Sequence, residues 1–137
     1  MVFTFLLGIL WARSASRPVL GLRDGLLLPL PASPNCVATQ SGEEGQRMDP
    51  IPFAGDRESA RRHLIEILTR MPNATLVKSK SDYLWVVFRS AFFGFPDDVE
   101  FQFSDTEIHF RSAARLGYSD LGVNRKRMSH IIQLFHQ

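Results

Sequence analysis

Cysteine is nearly absent from this sequence, since Cys36 is the only one. A single cysteine excludes a disulfide framework within the chain and a zinc site built from several cysteines. Long apolar runs are lacking too, because no stretch reaches the roughly 18 residues that span a bilayer. There is little excess charge of one sign, with a formal net charge of only +2, so we predict no nucleic-acid partner.

The sequence also lacks the short motifs of common enzyme classes. It contains no G-x-S-x-G, P-loop, G-x-G-x-x-G or H-E-x-x-H pattern, each of which carries a known mechanism. The histidines are not spaced as a metal-binding pair, so we predict no metal and no cofactor. Cys36 has no candidate base nearby in sequence, and a small buried apolar residue is the simpler interpretation.

What is present is the composition of one folded domain. The 137 residues are 45% hydrophobic and 22% charged, which is typical of a globular chain with a core. We divide the chain into an apolar segment at 1–17, an irregular proline- and glycine-rich arm at 18–55 and an α+β body at 56–137. The arm is interrupted by Pro18, Pro29, Pro31, Pro34, Pro50 and Pro52.

Residues 2–11 form an apolar run of the length of a signal-peptide hydrophobic region. Arg13 and Arg17 follow the run, and no basic residue precedes it, which by the positive-inside rule favours retention over export. Two interpretations stay open, a signal segment and a clipped membrane anchor. We expect membrane association through residues 2–11 and a location at a membrane or in the exported cell envelope. If the run is not a signal, we expect a cytoplasmic protein.

The body has the periodicities of a helix, four strands and a second helix. Asp56 is a candidate N-cap, and apolar residues recur at helical spacing after it as far as Met71. Strand-like alternation follows at 74–80, 83–90, 99–103 and 107–111, and an apolar helical stripe occupies 128–135. We predict an α+β fold, with a four-stranded, mainly antiparallel sheet and two helices packed on one face.

The most informative stretch is the basic motif RSAARLGYSDLGVNRKR at 111–127, which runs from a strand end into a helix start. Ser119 and Asn124 are its candidate helix caps. One interpretation is an anion site made by arginines at a helix N-terminus. The other is an ion-pair network between arginines and aspartates, which we favour because it needs no ligand. The candidate ligand-binding residues are Asp97, Asp98, Arg111, Arg115, Asp120, Asn124, Arg125 and Arg127.

Two neighbouring features allow further interpretations. Asp97 and Asp98 are candidates for a divalent-cation site or a general base. No further oxygen ligands are spaced nearby, however, and adjacent strand residues point to opposite faces, so a strand start paired with arginine is the simpler interpretation. The aromatic cluster of Phe92, Phe93 and Phe95 suits the walls of an apolar pocket or a membrane contact, but buried aromatics more often belong to the core.

Three stretches together resemble a known family. They are SPNCV at 33–37 with Gln40, FPDDVEF at 95–101 and the basic motif at 111–127. In these stretches the sequence resembles the bacterial and plastid family catalogued as domain of unknown function 1499. The resemblance extends from about residue 21 to residue 137. The resemblance implies a membrane or signal segment ahead of the domain, and it implies no particular reaction. Relatives often carry a second cysteine before SPNCV, where this chain has LPLP at 28–31, so we expect no paired thiol.

From these observations we predict a non-catalytic binding or accessory module at a membrane or cell envelope. Its Arg/Asp patch would recognise an anionic small molecule or a protein partner. The alternative is a small enzyme in which Asp97, Asp98 or Asp120 acts as acid or base while arginines hold an anionic substrate. The absence of a nucleophile–base set in the sequence favours the binding module.

Overall fold

The structure is a computed structural model that describes residues 17–90, 94–116 and 122–137. Residues 2–11, Phe92, Phe93, Ser119 and Asp120, for which the sequence suggests roles, lie outside the described residues. In chain order the elements are β1 (Leu22–Arg23), β2 (Leu26–Leu27), β3 (Cys36–Ala38), a 3-10 turn (Glu44–Gln46), β4 (Ile51–Pro52), α1 (Arg57–Arg70), β5 (Ala74–Ser79), β6 (Tyr83–Arg89), β7 (Pro96–Phe103), β8 (Glu107–Ala114) and α2 (Val123–Phe135).

The main sheet has six strands, so the prediction of four is wrong. Strands β5 to β8 are the four that alternation predicts, and they pair as antiparallel neighbours in chain order. Strands β3 and β4 come from the arm, and both pair antiparallel with β8. They escape sequence analysis because strands of three and two residues between prolines are too short to show alternation.

Both helices pack on one face of this sheet. Alternate residues of β6, β7 and β8 point to that face, and one cluster joins them to the apolar stripes of the helices. The central members of the cluster are fully buried, which places the main core between the sheet and the helices. They include Leu64, Leu84, Val86, Val99, Phe101, Phe110, Met128 and Ile131.

The first helix begins where its sequence predicts. Asp56 is the N-cap of α1, and its Oδ1 accepts a hydrogen bond of 2.8 Å from the backbone N–H of Ser59. A second bond, from the Ser59 hydroxyl, adds to the first, and together they lower the pKa of Asp56. The predicted cap is therefore confirmed.

We expect Asp56→Ala to lower the melting temperature, because the N-terminal N–H groups of α1 lose their acceptor. The matched control is Asp56→Asn, which keeps an acceptor without the charge. Because the pKa is lowered on folding, the carboxylate stabilises the protein above its unfolded-state pKa and loses this effect as the pH falls through the folded-state pKa. Melting curves at neutral and acidic pH test this. A wild-type advantage over Asp56→Asn that persists at acidic pH would contradict it.

The second face of the sheet is covered by residues 17–31, which we call the strap. The strap contains the hairpin β1–β2, whose turn residues Asp24 and Gly25 have φ of 54° and 76°. Positive φ at both positions is the geometry of a two-residue hairpin turn, and Asp-Gly is a preferred sequence for it. Leu27 of the strap packs on Tyr83 and Trp85 in a second apolar cluster. Both faces of the sheet are therefore covered.

The second helix begins at a residue that the sequence analysis does not predict. The N-cap of α2 is Gly122, with φ of 79° and no side-chain cap, whereas Asn124 lies inside the helix. The prediction of Asn124 as a cap is wrong because its buried amide bonds to the sheet instead. Within residues 17–90, 94–116 and 122–137, no helix has both the length and the apolar character needed to cross a membrane.

Candidate functional site

Strand β7 separates the two adjacent aspartates. Asp98 points to the second face, where it is buried, while Asp97 points to the helix face and pairs with Arg127 of α2. This is the opposite-face arrangement that the strand alternation predicts. The two carboxylates therefore belong to different environments, and they do not converge on one ligand.

On the second face, Asp98 forms a closed ion pair with Arg115. The guanidinium donates two hydrogen bonds, from Nε to Oδ2 at 2.7 Å and from Nη2 to Oδ1 at 2.8 Å. The indole Nε1 of Trp85 donates a third, of 2.9 Å, to Oδ1. Such a two-pronged pair is the strongest form of an arginine–carboxylate contact. The predicted ion-pair interpretation thus describes these two residues.

A second charged pair, Glu100 with Arg111, lies beside the first. The sequence indicates Arg111 as a candidate site residue but not Glu100. Glu100 is 0% exposed, and its Oε1 lies 3.5 Å from Nη1 of Arg111. Its Oε2 accepts hydrogen bonds from the hydroxyl of Tyr83 and from the backbone N–H of Gly21. Burial, the largest cause, raises the pKa of Glu100, although both the Tyr83 hydrogen bond and the Arg111 charge lower it. Burial and the bond to Glu100 also raise the pKa of Tyr83.

The Asp98–Arg115 pair and Arg111 border a small cavity under the strap, which we call the strap cavity. Its volume is about 240 Å³. The strap supplies Pro18, Leu20 and Pro31, and the sheet supplies Asp98, Arg111, Ala113, Ala114 and Arg115. Three predicted site residues therefore meet here, and Glu100 is the partner that the sequence did not indicate.

On the helix face, Asn124 and Arg127 join α2 to the sheet. The Asn124 side chain accepts a hydrogen bond from the hydroxyl of Ser112 and donates one of 3.1 Å to the carbonyl of Asn35. Arg127 donates to Asn124 at 3.0 Å and to Asp97 at 2.8 Å, and its guanidinium lies 4.8 Å from the ring centre of Phe88. Two more predicted residues thus act in a network that fixes the helix start.

The side chain of Arg125 contacts the arm and not the sheet. Its Nη2 donates hydrogen bonds to the carbonyl oxygens of Gly45 and Arg47, at 2.8 and 3.3 Å. These contacts tie the first turn of α2 to the 3-10 turn of the arm. Arg125 lines neither the strap cavity nor the larger groove described next.

A wide concave surface lies between α1 and α2, and we call it the helix groove. It has a volume of about 650 Å³, within the range of small-molecule sites. Of the predicted site residues that the structure describes, Arg127 alone lines it. Arg70 at the end of α1 and Arg89 at the end of β6 add two cations, and neither was indicated by the sequence because each comes from a separate element. Its other residues include Ile67, Met71, Phe88 and Leu134, with His63, His130 and Glu66.

Neither a cluster of metal ligands nor the single cysteine extends the strap cavity or the helix groove within the described residues. Across the described parts of the chain, no three histidine, cysteine, aspartate or glutamate side chains are grouped so as to hold a metal ion. The side chain of Cys36 is buried, since the residue is 1% exposed. Its Sγ lies 2.9 Å from the carbonyl oxygen of Ser33 and 3.3 Å from Nε2 of Gln46. The prediction of a buried Cys36 is confirmed.

The fold thus defines a small α+β protein with a sheet covered on both faces. The family model described as "Protein of unknown function (DUF1499)" matches residues 26–135. The chain belongs to this family, as the motifs at 33–37, 95–101 and 111–127 indicated. No curated protein and no solved structure matches the chain.

Proposed function

We propose that the protein is a non-catalytic binding module and that the helix groove takes a small anion with an apolar part. The observation that carries the proposal is the pairing of charge and apolar surface in one groove. Among the described residues, Arg70, Arg89 and Arg127 line it together with one acidic side chain, that of Glu66. A concave site with a few polar groups on an apolar wall is typical of small-molecule binding.

The two arginines from separate elements supply the charge for recognition. Arg70 and Arg89 are exposed at the groove, and Arg89 donates one hydrogen bond, of 3.0 Å, to the carbonyl of Gly94. Arg127 is different, because Asp97 already balances its charge at 2.8 Å. We therefore assign the contact with the anionic group to Arg70 and Arg89. Ile67, Met71 and Leu134 would hold the apolar part.

Binding is favoured over acid–base catalysis by the state of the candidate carboxylates. A general acid or base must reach its substrate within hydrogen-bond distance. Asp97 and Asp98 each face an arginine at 2.7–2.8 Å. The concavity of the groove likewise favours a small molecule over the flat surface of a protein partner. A place at a membrane or cell envelope stays part of the proposal, supported by the apolar run at 2–11.

We expect Arg70→Ala to weaken binding of octanoate, a carboxylate with an apolar tail, by about fivefold. This corresponds to roughly 1 kcal/mol for one exposed charged contact. Titration calorimetry on the full chain measures the change. The matched control is Arg62→Ala, since Arg62 is an exposed arginine of the same helix that does not line the groove.

The apolar half of the groove has its own test in the same titrations. Octanoate should bind more tightly than butanoate, because each buried methylene contributes about 0.8 kcal/mol. Octanol, which has the tail without the charge, should bind more weakly than octanoate. Equal losses for Arg70→Ala and Arg62→Ala, or affinity independent of tail length, would show that the groove is not the site.

A further inference from the structure

The cations of the helix groove lie together at one end of it. The backbone N–H of Arg89 donates a hydrogen bond of 3.0 Å to the carbonyl of Asn73, just beyond the end of α1. Arg127 of α2 lies over the ring of Phe88, the neighbour of Arg89 in β6. The end of β6 therefore brings Arg89 and Arg127 to the end of α1, where Arg70 lies. The carboxylate of the proposed ligand binds at this end.

The opposite end of the groove contains a histidine. His63 lies two helical turns before Arg70 on α1, so their positions are roughly 10 Å apart along the helix axis. Its ring centre is 4.9 Å from that of Phe135, the last residue of α2. Ile67 lies between His63 and Arg70 on the same face of α1, and all three line the groove. A ligand with its carboxylate at Arg70 and its chain along Ile67 therefore ends beside His63.

The backbone of α2 fixes the proton on the His63 ring. Nε2 lies 2.9 Å from the carbonyl oxygen of Phe135, and a carbonyl oxygen can only accept a hydrogen bond. Nε2 therefore carries the hydrogen, and Nδ1 of the neutral imidazole is an acceptor. Within the described parts of the chain, Nδ1 has no hydrogen-bond donor and keeps access to solvent. His63 thus offers one unused acceptor to whatever lies at this end of the groove.

This acceptor distinguishes two kinds of ligand tail. A tail that ends in a methyl group displaces water from Nδ1 and returns no hydrogen bond, which is unfavourable. A tail that ends in a hydroxyl donates the missing bond. We propose that the helix groove selects carboxylates with a hydroxyl at the far end of the chain, and that His63 determines this specificity. This inference rests on the proposed function, and it names the class of ligand.

The test compares derivatives of octanoate, whose extended chain is about as long as the separation of the two ends. Titration calorimetry uses the full chain at about pH 8, where an imidazole is neutral. We expect ω-hydroxyoctanoate to bind about tenfold more tightly than octanoate, because it pairs an acceptor that octanoate leaves unpaired. ω-Methoxyoctanoate has no hydrogen to donate, and α-hydroxyoctanoate carries its hydroxyl at the cationic end. Neither should show this gain.

A substitution at His63 assigns the preference to its ring nitrogens. His63→Phe keeps a ring but neither nitrogen, so it should bind ω-hydroxyoctanoate and octanoate equally. The matched control is His136→Phe, which should keep the preference, since His136 is exposed and does not line the groove. Should His63→Phe fail to fold, nitrogen NMR of the wild-type imidazoles takes its place. Nδ1 of His63 should then give the signal of an unprotonated nitrogen and shift towards that of a hydrogen-bonded acceptor when ω-hydroxyoctanoate is added.

The outcomes separate this inference from the proposed function. If octanoate binds in an Arg70-dependent manner but ω-hydroxyoctanoate binds no better, the groove remains a site and the role of His63 is overturned. A preference that persists in His63→Phe, or a proton found on Nδ1 of the neutral ring, overturns it as well. If neither ligand binds the full chain, the proposed function and this inference both fail.

Discussion

Replacing Asp98 by alanine is expected to lower the free energy of unfolding by about 3–5 kcal/mol, the loss seen when one partner of a buried ion pair is removed. Asp98 is 2% exposed, and the side chain of Arg115 is 7% exposed. The substitution leaves the guanidinium buried without its carboxylate and Nε1 of Trp85 without its acceptor. Denaturant unfolding of the full chain measures the loss.

An exposed ion pair of similar length is the matched control. Arg57 and Asp105 are 2.6 Å apart, but the Asp105 side chain is 90% exposed. Asp105→Ala should therefore cost no more than about 1 kcal/mol. Removing both buried partners in Asp98→Ala with Arg115→Met should cost less than the two single losses added together, because no buried charge is left alone. A fully additive double variant, or equal losses at Asp98 and Asp105, would contradict a buried pair.

The long elements could be predicted because their residues repeat the period of the structure. In α1, apolar residues recur along one face after the Asp56 cap, and the helix ends at Arg70, before Met71 and Pro72. In β6 to β8, every second residue is apolar and enters the main core. A period fixes which residues share a face, and for these elements that was sufficient.

A period does not show what covers each face. The polar side of β7 and β8 looks like a solvent face in the sequence, yet Glu100 and Arg111 on it are buried. The strap that buries them lies about 80 positions earlier, as the bond from Gly21 to Glu100 shows. Long separation along the chain also hid β3 and β4, which are recognisable as strands only through their pairing with β8.

The candidate site was predicted as one patch because its residues are close in sequence. The passage from β8 to α2 separates them in space, with Arg111 and Arg115 at the strap cavity and Arg127 at the helix groove. Arg70 and Arg89 reach the same groove from α1 and β6. Closeness along the chain therefore predicted that aspartates and arginines of these motifs would pair. It did not predict which residues line each cavity, because those come from distant elements. Asp120, part of the predicted patch, lies outside the described residues.

Asn124→Ala is the second substitution with a large expected effect, a loss of about 2–3 kcal/mol in the free energy of unfolding. Asn124 is 1% exposed, and alanine removes the acceptor that the Ser112 hydroxyl and Arg127 share. It also removes one of two donors to the Asn35 carbonyl, which keeps the bond from the backbone N–H of Ala114. Each buried polar group left without a partner costs about 1–3 kcal/mol. Asn124→Asp should also destabilise, since a carboxylate has no donor for the Asn35 carbonyl.

The neighbouring Arg125→Ala is the control that makes this loss informative. Arg125 holds two carbonyl oxygens of the arm at the protein surface, so its loss should cost less than about 1 kcal/mol. Denaturant unfolding of both variants then separates the roles of adjacent residues in the basic motif. If Arg125→Ala were the more damaging, the first turn of α2 would depend on the arm more than on the sheet. The expected order instead makes Asn124 the residue that fixes the start of α2 against β8, and so positions Arg127 at the helix groove.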